Sequence, residues 1–338
     1  MAYLAATVLD SYRAQYAGFD NYEHRASRYG CLSAFMADTP NLLNADEIVK
    51  AKQAQAHATT IPVINRKTFS TGSSRTCDVQ SGSNVSAFVT LSWTTITVGF
   101  HMVPSQYSNN YVKYQDDFGR KMRDAQIALG TTLDTAAYTY LNTNKAQTNN
   151  SEFYTVTSNV MQVPYADRVV LFNNLEGVMG SNDLYGPFNV VCSTQMSSMI
   201  RELSNQGSTN GTNYAYQFMG YNMYYSNRCT VADGDFGTVF CMPIGSLGFM
   251  AWIDPASRAG EQNGYQEWGI IPLPDLGIEA GLFYQASCAD NTTEAGTGYD
   301  ATLKESFLIS FDYCFIYAYN SSPTTLPGTI YKAAIAKT

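Results

Sequence analysis

Three histidines, seven cysteines and a scatter of carboxylates are the first side chains to test for covalent or metal chemistry in this 338-residue chain. His24, His57 and His101 lie far apart, and none is followed by a carboxylate at ligand spacing, so all three read as surface or core residues. The cysteines (Cys31, Cys77, Cys192, Cys229, Cys241, Cys288 and Cys314) are odd in number, widely spaced and contain no C-x-x-C. That pattern argues against a disulfide framework or zinc site and for reduced, mostly buried thiols made in a cytoplasm. Residues 207–211, Gly-Ser-Thr-Asn-Gly, have the wrong spacing for a nucleophile elbow, and there is no phosphate-cradling glycine motif. Asp233-Gly-Asp235 begins like a calcium loop and runs into Asp-Phe-Gly, but Ile244 stands where such a loop needs its closing Glu, and no other kinase signature accompanies it. A tight turn between two strands is the better reading, and Asp254-Pro255 likewise reads as the start of a turn. Carboxylates are frequent in residues 151–338, yet nothing singles out a pair for glycoside hydrolysis. Tyr214, Tyr216, Tyr221, Tyr224 and Tyr225 have the chemistry of a stacking platform for sugars or bases, though alternating tyrosines in a strand are more often core and interface. The expectation is a protein that is not an enzyme and holds no cofactor or metal.

The elements around these residues are more informative. The spacing predicts a short helix over residues 44–57, with Asn44 as cap, Asp46 and Glu47 in its first turn and Ile61-Pro62 beyond its end. Residues 65–76 and 86–103 are rich in Thr, Val, Phe and Ser around a Ser/Gly/Asn tip, which predicts a long two-stranded arm. An isolated hairpin of that kind is marginal in water, so the arm needs another surface to lie on. Residues 111–146 carry the clearest period in the chain: Tyr111, Tyr114, Phe118, Met122, Ala125, Leu129, Leu133, Ala136, Tyr140 and Leu141 recur at steps of three and four. They predict one amphipathic helix of roughly 50 Å, with Asp117→Lys121 pairing on its polar side and a bend at Gly130. Beyond it, helix is expected over 165–179 and 195–205, and strand over 188–192, 221–227, 237–242, 248–252, 267–272, 280–286 and 305–319, with a polar loop at 290–300.

Composition limits the class. Charged residues are 14% of the chain, against roughly 25% in ordinary globular proteins, while 25 tyrosines are present. A surface poor in charge and rich in tyrosine suits lasting contact with neighbours. The first 150 residues hold 13 basic and 11 acidic residues, a net of +2; the remainder hold 7 and 17, a net of −10. Neither half has the charge for tight binding of nucleic acid through counterion release. No apolar run approaches the length needed to cross a membrane, and the first ten residues lack a charged signal-peptide start.

The order of these elements resembles the major capsid proteins of tailed bacteriophages, with their Hong Kong-phage or Johnson fold. The residues that carry the resemblance are the arm at 65–103, the helix at 111–146, Phe188-Asn-Val-Val-Cys-Ser-Thr-Gln-Met before a helix, and Phe218-Met-Gly-Tyr-Asn-Met-Tyr-Tyr-Ser-Asn227. The resemblance implies an α+β fold with an N-terminal arm (1–64), an extended E-loop hairpin (65–105), a P-domain with a spine helix (106–152), an A-domain (153–290) and a return strand with the C-terminal segment (291–338). It implies a self-assembling icosahedral shell of hexamers and pentamers in the virion, built in a bacterial cytoplasm with a separate scaffolding protein and a portal, around double-stranded DNA touched weakly and without sequence specificity. Inter-subunit contacts are expected at Lys67, Phe69, Phe88, Trp93 and Ile96. Lys67 is also where one branch of the family cross-links, though a surface lysine is the plainer reading. An encapsulin-like compartment and a phage tail or carbohydrate-binding protein are the rival expectations.

Overall fold

Two β-sheets share one long helix between them. The structure is a computed structural model and describes residues 29–63, 87–107, 111–145, 153–182, 184–199, 217–218, 221–290, 301–318 and 328–337. The chain opens with helices α1 (Gly30–Leu42) and α2 (Ala45–Gln53), strands β1 (Thr60–Val63), β2 (Ala87–Thr90) and β3 (Thr94–Met102), and the long helix α3 (Tyr111–Thr143). Then come β4 (Thr155–Thr157), β5 (Val160–Val163), helix α4 (Leu171–Gly180), β6 (Phe188–Ser193), β7 (Gln217–Phe218), β8 (Tyr221–Ser226) and β9 (Asp235–Pro243). The last stretch holds β10 (Leu247–Trp252), the short helix α5 (Pro255–Ala259), β11 (Gln262–Asn263), β12 (Gln266–Leu273), β13 (Ile278–Asp290), β14 (Ala301–Tyr317) and β15 (Tyr331–Ala336).

The first sheet is antiparallel and centred on β14, whose 17 residues pair with β3, β13 and β10; β12 and β11 extend it beyond β13. The second sheet has the order β4-β5-β15-β9-β6-β8-β7, with parallel pairs at β15/β5 and β6/β8. Every residue of β6 is buried, as an inner strand covered on both faces requires. β15 enters this sheet between β5 and β9, although β14, the strand before it, belongs to the other sheet.

Alternation decides which side of the first sheet meets α3. On β14, Phe307, Ile309 and Phe311 are buried while Leu308 is exposed, so the odd-numbered residues face the core. They meet the helix stripe foreseen in the sequence: Tyr114, Phe118, Met122, Ala125, Leu129, Leu133 and Leu141 are all buried in the same cluster. Phe118 lies edge-on to Phe307 at 5.0 Å and to Phe100 at 5.6 Å. Gly130 has a packing role. α3 runs unbroken through it, and a Cβ there would stand 2.4 Å from Cζ of Tyr29 and 2.8 Å from Cδ2 of Leu276. Glycine at this position makes room for Tyr29.

Several expectations need correcting. α1 falls in a segment whose sequence showed no sustained period, because a helix in contact with both sheets and α3 is apolar on most sides. α2 ends at Gln53, four residues before the expected end, and its cap residue Asn44 makes no side-chain bond to the helix. β1 pairs with β2 over four residues, and most of the second strand of the expected arm is β3, a full strand of the first sheet opposite β14. The expected 165–179 helix is a short 3-10 turn followed by α4. β10 to β13 share a sheet with β14, and β15 joins the second sheet. The first strand and the tip of the expected arm, most of the helix at 195–205 and all of the polar loop at 290–300 except Asp290 lie outside the described residues.

Candidate assembly surface

The face of the first sheet turned away from α3 is covered only in part. At one end, Asp312, Cys314 and Ile316 of β14 and Met250 and Trp252 of β10 point to this face. α2 and the hairpin close over them: Leu43, Ala51, Ile61, Val89 and Leu91 form one buried cluster with Met250, Cys314 and Ile316. Burial pushes the Cys314 thiol up to about 12, so it stays protonated and packs as a small apolar group.

The root of the hairpin is fastened by directed contacts. His57 Nε2 bonds to Asp312 Oδ2 at 2.7 Å, and its ring stacks on Trp93 at 5.0 Å and meets Trp252 edge-on at 4.4 Å. The Trp93 indole N–H donates to the carbonyl of Ala58, and that of Trp252 donates to the carbonyl of Ala54, both at 2.9 Å. The Arg258 guanidinium donates to the carbonyls of Ala54 and Lys52 at 2.7 and 3.1 Å. The carbonyls of Lys52, Ala54 and Ala58, at the end of α2 and just beyond it, are thus satisfied by the side chains of Trp93, Trp252 and Arg258. These contacts hold the described root of the hairpin against the first sheet.

Beyond α2, the same face is open. Trp268, Phe283 and Leu308 sit opposite one another on β12, β13 and β14, in register with Gly99 on β3. Trp268 and Phe283 are in ring contact at 5.0 Å, Leu308 is 37% exposed, and neighbouring Ile270 is 40% exposed. A row of large apolar side chains across three strands is more than a scatter of surface hydrophobics.

Behind this surface, buried carboxylates join the layers. Asp38 of α1 accepts from the backbone N–H groups of Gly245, Ser246 and Leu247 at 2.7, 2.8 and 2.7 Å, holding the turn into β10. Asp134 of α3 accepts from Leu32 N–H at 2.9 Å and from the Ser226 hydroxyl, tying α3 to α1 and β8, and burial raises its carboxyl above the usual range. Glu305 of β14 accepts from the hydroxyls of Tyr114 and, at 3.2 Å, Tyr284.

The residues expected to touch other subunits separate into three groups. Lys67 and Phe69 lie outside the described residues. Phe88 sits on β2 opposite Pro62. Trp93 and Ile96 are engaged by their own chain: Trp93 in the hairpin root, and Ile96, 8% exposed, in the main core opposite Phe311. The row on β12 to β14 was missed, and its signal was the alternation of Trp268, Ile270, Phe283 and Leu308 with core residues on strands that were placed correctly.

The chemistry-bearing residues stay apart. Among the described residues, no three His, Cys, Asp or Glu side chains gather as metal ligands do. Asp233 and Gly234, the latter at φ +94°, form the turn into β9; Asp254 caps α5 by accepting from Ser257 N–H at 2.9 Å. Tyr221 is buried and donates to the Phe172 carbonyl, so it belongs to the core and not to a stacking platform. Among the described residues, no helix is long and apolar enough to cross a membrane.

No protein-family model matches the chain, and no curated protein matches its sequence. Solved structures do. One described as Mycobacterium phage Che8 is 11% identical, with a TM-score of 0.50 over 87% of this chain and 89% of that chain. The capsid structure of the cyanophage P-SCSP1u is 11% identical, with a TM-score of 0.43 over 82% and 83%. The holo-SrpI encapsulin complex of Synechococcus elongatus PCC 7942 is 13% identical, with a TM-score of 0.38 over 75% and 76%. The chain has the α+β fold of the tailed-phage capsid proteins.

Proposed function

We propose that this protein is the structural subunit of a tailed-phage capsid, a shell former and not an enzyme. The observation that carries the proposal is the fold likeness to a phage structure over nearly nine-tenths of both chains. Two features of the chain support it. The β1–β2 hairpin belongs to neither of the two large sheets, which leaves it free to serve as the root of an arm that reaches a neighbour. The open row of Trp268, Phe283 and Leu308 offers a neighbouring subunit the apolar surface that such an arm lacks at home.

In this reading, subunits gather as hexamers and pentamers through head-to-tail contacts that close into rings, and folding of the arm shares its free energy with assembly. With net charges of +2 and −10, neither half is strongly basic, which suits a wall around DNA that holds the genome by enclosure, with contacts that ignore sequence. A separate scaffolding protein and a portal belong to the same proposal, as does assembly in the bacterial cytoplasm. Negative-stain microscopy and light scattering of the purified protein test it. Closed particles or rings are the expected result; a monomer at all working concentrations overturns it. The contents of the particles, DNA or protein cargo, separate a genome shell from an encapsulin-like compartment.

A further inference from the structure

Cys31 lies in the first turn of α1, and Cys229 lies in the turn that follows β8. They are 198 residues apart in sequence, yet their sulfurs are 3.4 Å apart, and the two residues are 0% and 4% exposed. The surrounding backbone is held on both sides. A Cβ on Gly30 would stand 2.2 Å from the Tyr225 carbonyl oxygen, Leu32 N–H donates to Asp134, and Ser226 donates to the same carboxylate. Cys192, Cys241 and Cys314 are buried free thiols.

A disulfide bond is about 2.05 Å long, so closing this pair takes an approach of about 1.4 Å from the observed separation, within the range of small side-chain rotations. We propose that Cys31 and Cys229 are a disulfide site, closing when the chain folds in an oxidising medium and so locking α1 covalently to the edge of the second sheet. With oxidised glutathione as the oxidant, one cysteine thiolate attacks a glutathione sulfur, forming a mixed disulfide and releasing one glutathione thiolate. The second cysteine thiolate then attacks the mixed disulfide at the protein sulfur and releases the other. Two electrons pass from the cysteine pair to glutathione, and the two cysteine protons end on the two released thiols.

The docked structure also sets when the reaction happens. The hydrogen bond to Cys229, burial and the neighbouring Asp134 carboxylate all push the Cys31 thiol well above its ordinary value, which starves the exchange of thiolate. Glutathione therefore attacks one thiol while α1 is undocked, the second sulfur reaches the mixed disulfide as α1 docks, and the packed pair, closed to solvent, keeps its redox state. Chains folded in a reducing cytoplasm carry two thiols; chains refolded under oxidised glutathione carry the bond.

The test is refolding of the full chain from urea in buffers of rising oxidised-to-reduced glutathione ratio, followed by thiol titration and peptide mapping without reductant. The expected result is the loss of two thiols per chain, a cross-linked peptide joining Cys31 to Cys229, and an unfolding midpoint higher by several degrees. Cys31→Ser and Cys229→Ser each remove the cross-linked peptide; Cys31→Ala and Cys229→Ala repeat the test if serine prevents folding. Wild-type mapping stands without any variant. Native-like protein with both thiols still titratable at the most oxidising ratio overturns the proposal, and so does a bond between other cysteines in place of this one.

Discussion

The phenol of Tyr114, in the first turn of α3, donates its hydrogen to the carboxylate of Glu305 on β14. This contact fixes the start of the long helix against the longest strand of the sheet. Tyr284 supplies the second donor from β13, and burial raises both phenols, so they remain protonated donors at any pH the protein survives.

Replacing Tyr114 by Phe keeps the ring in its packing and removes one donor from a carboxylate that is almost fully buried. The expected loss is about 1–3 kcal/mol of subunit stability, read from urea unfolding, with Tyr284→Phe costing less because its contact is longer. Equal stability of Tyr114→Phe and wild type would show that the bond contributes nothing net.

Asp38→Ala strands three backbone N–H groups of the 245–247 turn, the latter two of them in buried residues. The expected cost is about 3 kcal/mol or more. Hydrogen exchange at these three amides, fast in the variant and slow in wild type, places the loss at the turn.

The Asp134 carboxyl titrates above the usual carboxylate range because it is buried. The folded state then binds its proton more tightly than the unfolded state. Its contribution to stability is greatest in acid and declines as pH rises from the unfolded value, about 3.9, through the raised folded value. Asp134→Asn removes that decline: the stability difference between wild type and variant, followed by denaturation at stepped pH, changes across this window and is flat below it.

Gly30→Ala tests close packing against helix propensity. Alanine favours a helix by about 1 kcal/mol over glycine, but here its methyl meets the Tyr225 backbone at 2.2 Å. The expected outcome is net destabilisation of about 1–3 kcal/mol, the usual cost of overpacking, visible as a lower thermal midpoint. A more stable variant would mean that α1 shifts freely.

Trp93→Ala loosens the hairpin root by removing the stack on His57 and the donor to Ala58. Because Trp93 is only half-buried, the subunit should lose roughly 2 kcal/mol and stay folded. Particle yield should fall far more than circular dichroism does. Full yield would show that the arm needs no fixed origin.

What the sequence made legible follows periodicity. The stripe from Tyr114 to Leu141 is a one-sided pattern, so α3 was visible within three residues of its true end. β6, β8, β9 and β10 were visible through short β-branched and aromatic runs between turn residues. α1 was hidden because Cys31, Leu32, Ala34, Phe35 and Asp38 are buried around much of its circumference, which leaves no polar stripe to set the phase. β3 was taken for part of the arm because a strand's composition does not name its partner; only the pairing of Ile96 with Phe311 and Phe100 with Phe307 does. The hairpin root drew on residues from four separate places, His57, Trp93, Trp252 and Asp312, and no local pattern links them.

The position of β15 has a consequence for how the protein is made. The β4–β5 hairpin reaches the rest of its sheet only through Tyr331–Ala336, which a ribosome delivers long after β5 and after every strand of the first sheet. Until then β5 and β9 each present a bare strand edge, the kind of template on which nascent chains stick to one another. Synthesis is therefore followed by a brief period of vulnerability, and a chain cut short before residue 331 stays in it.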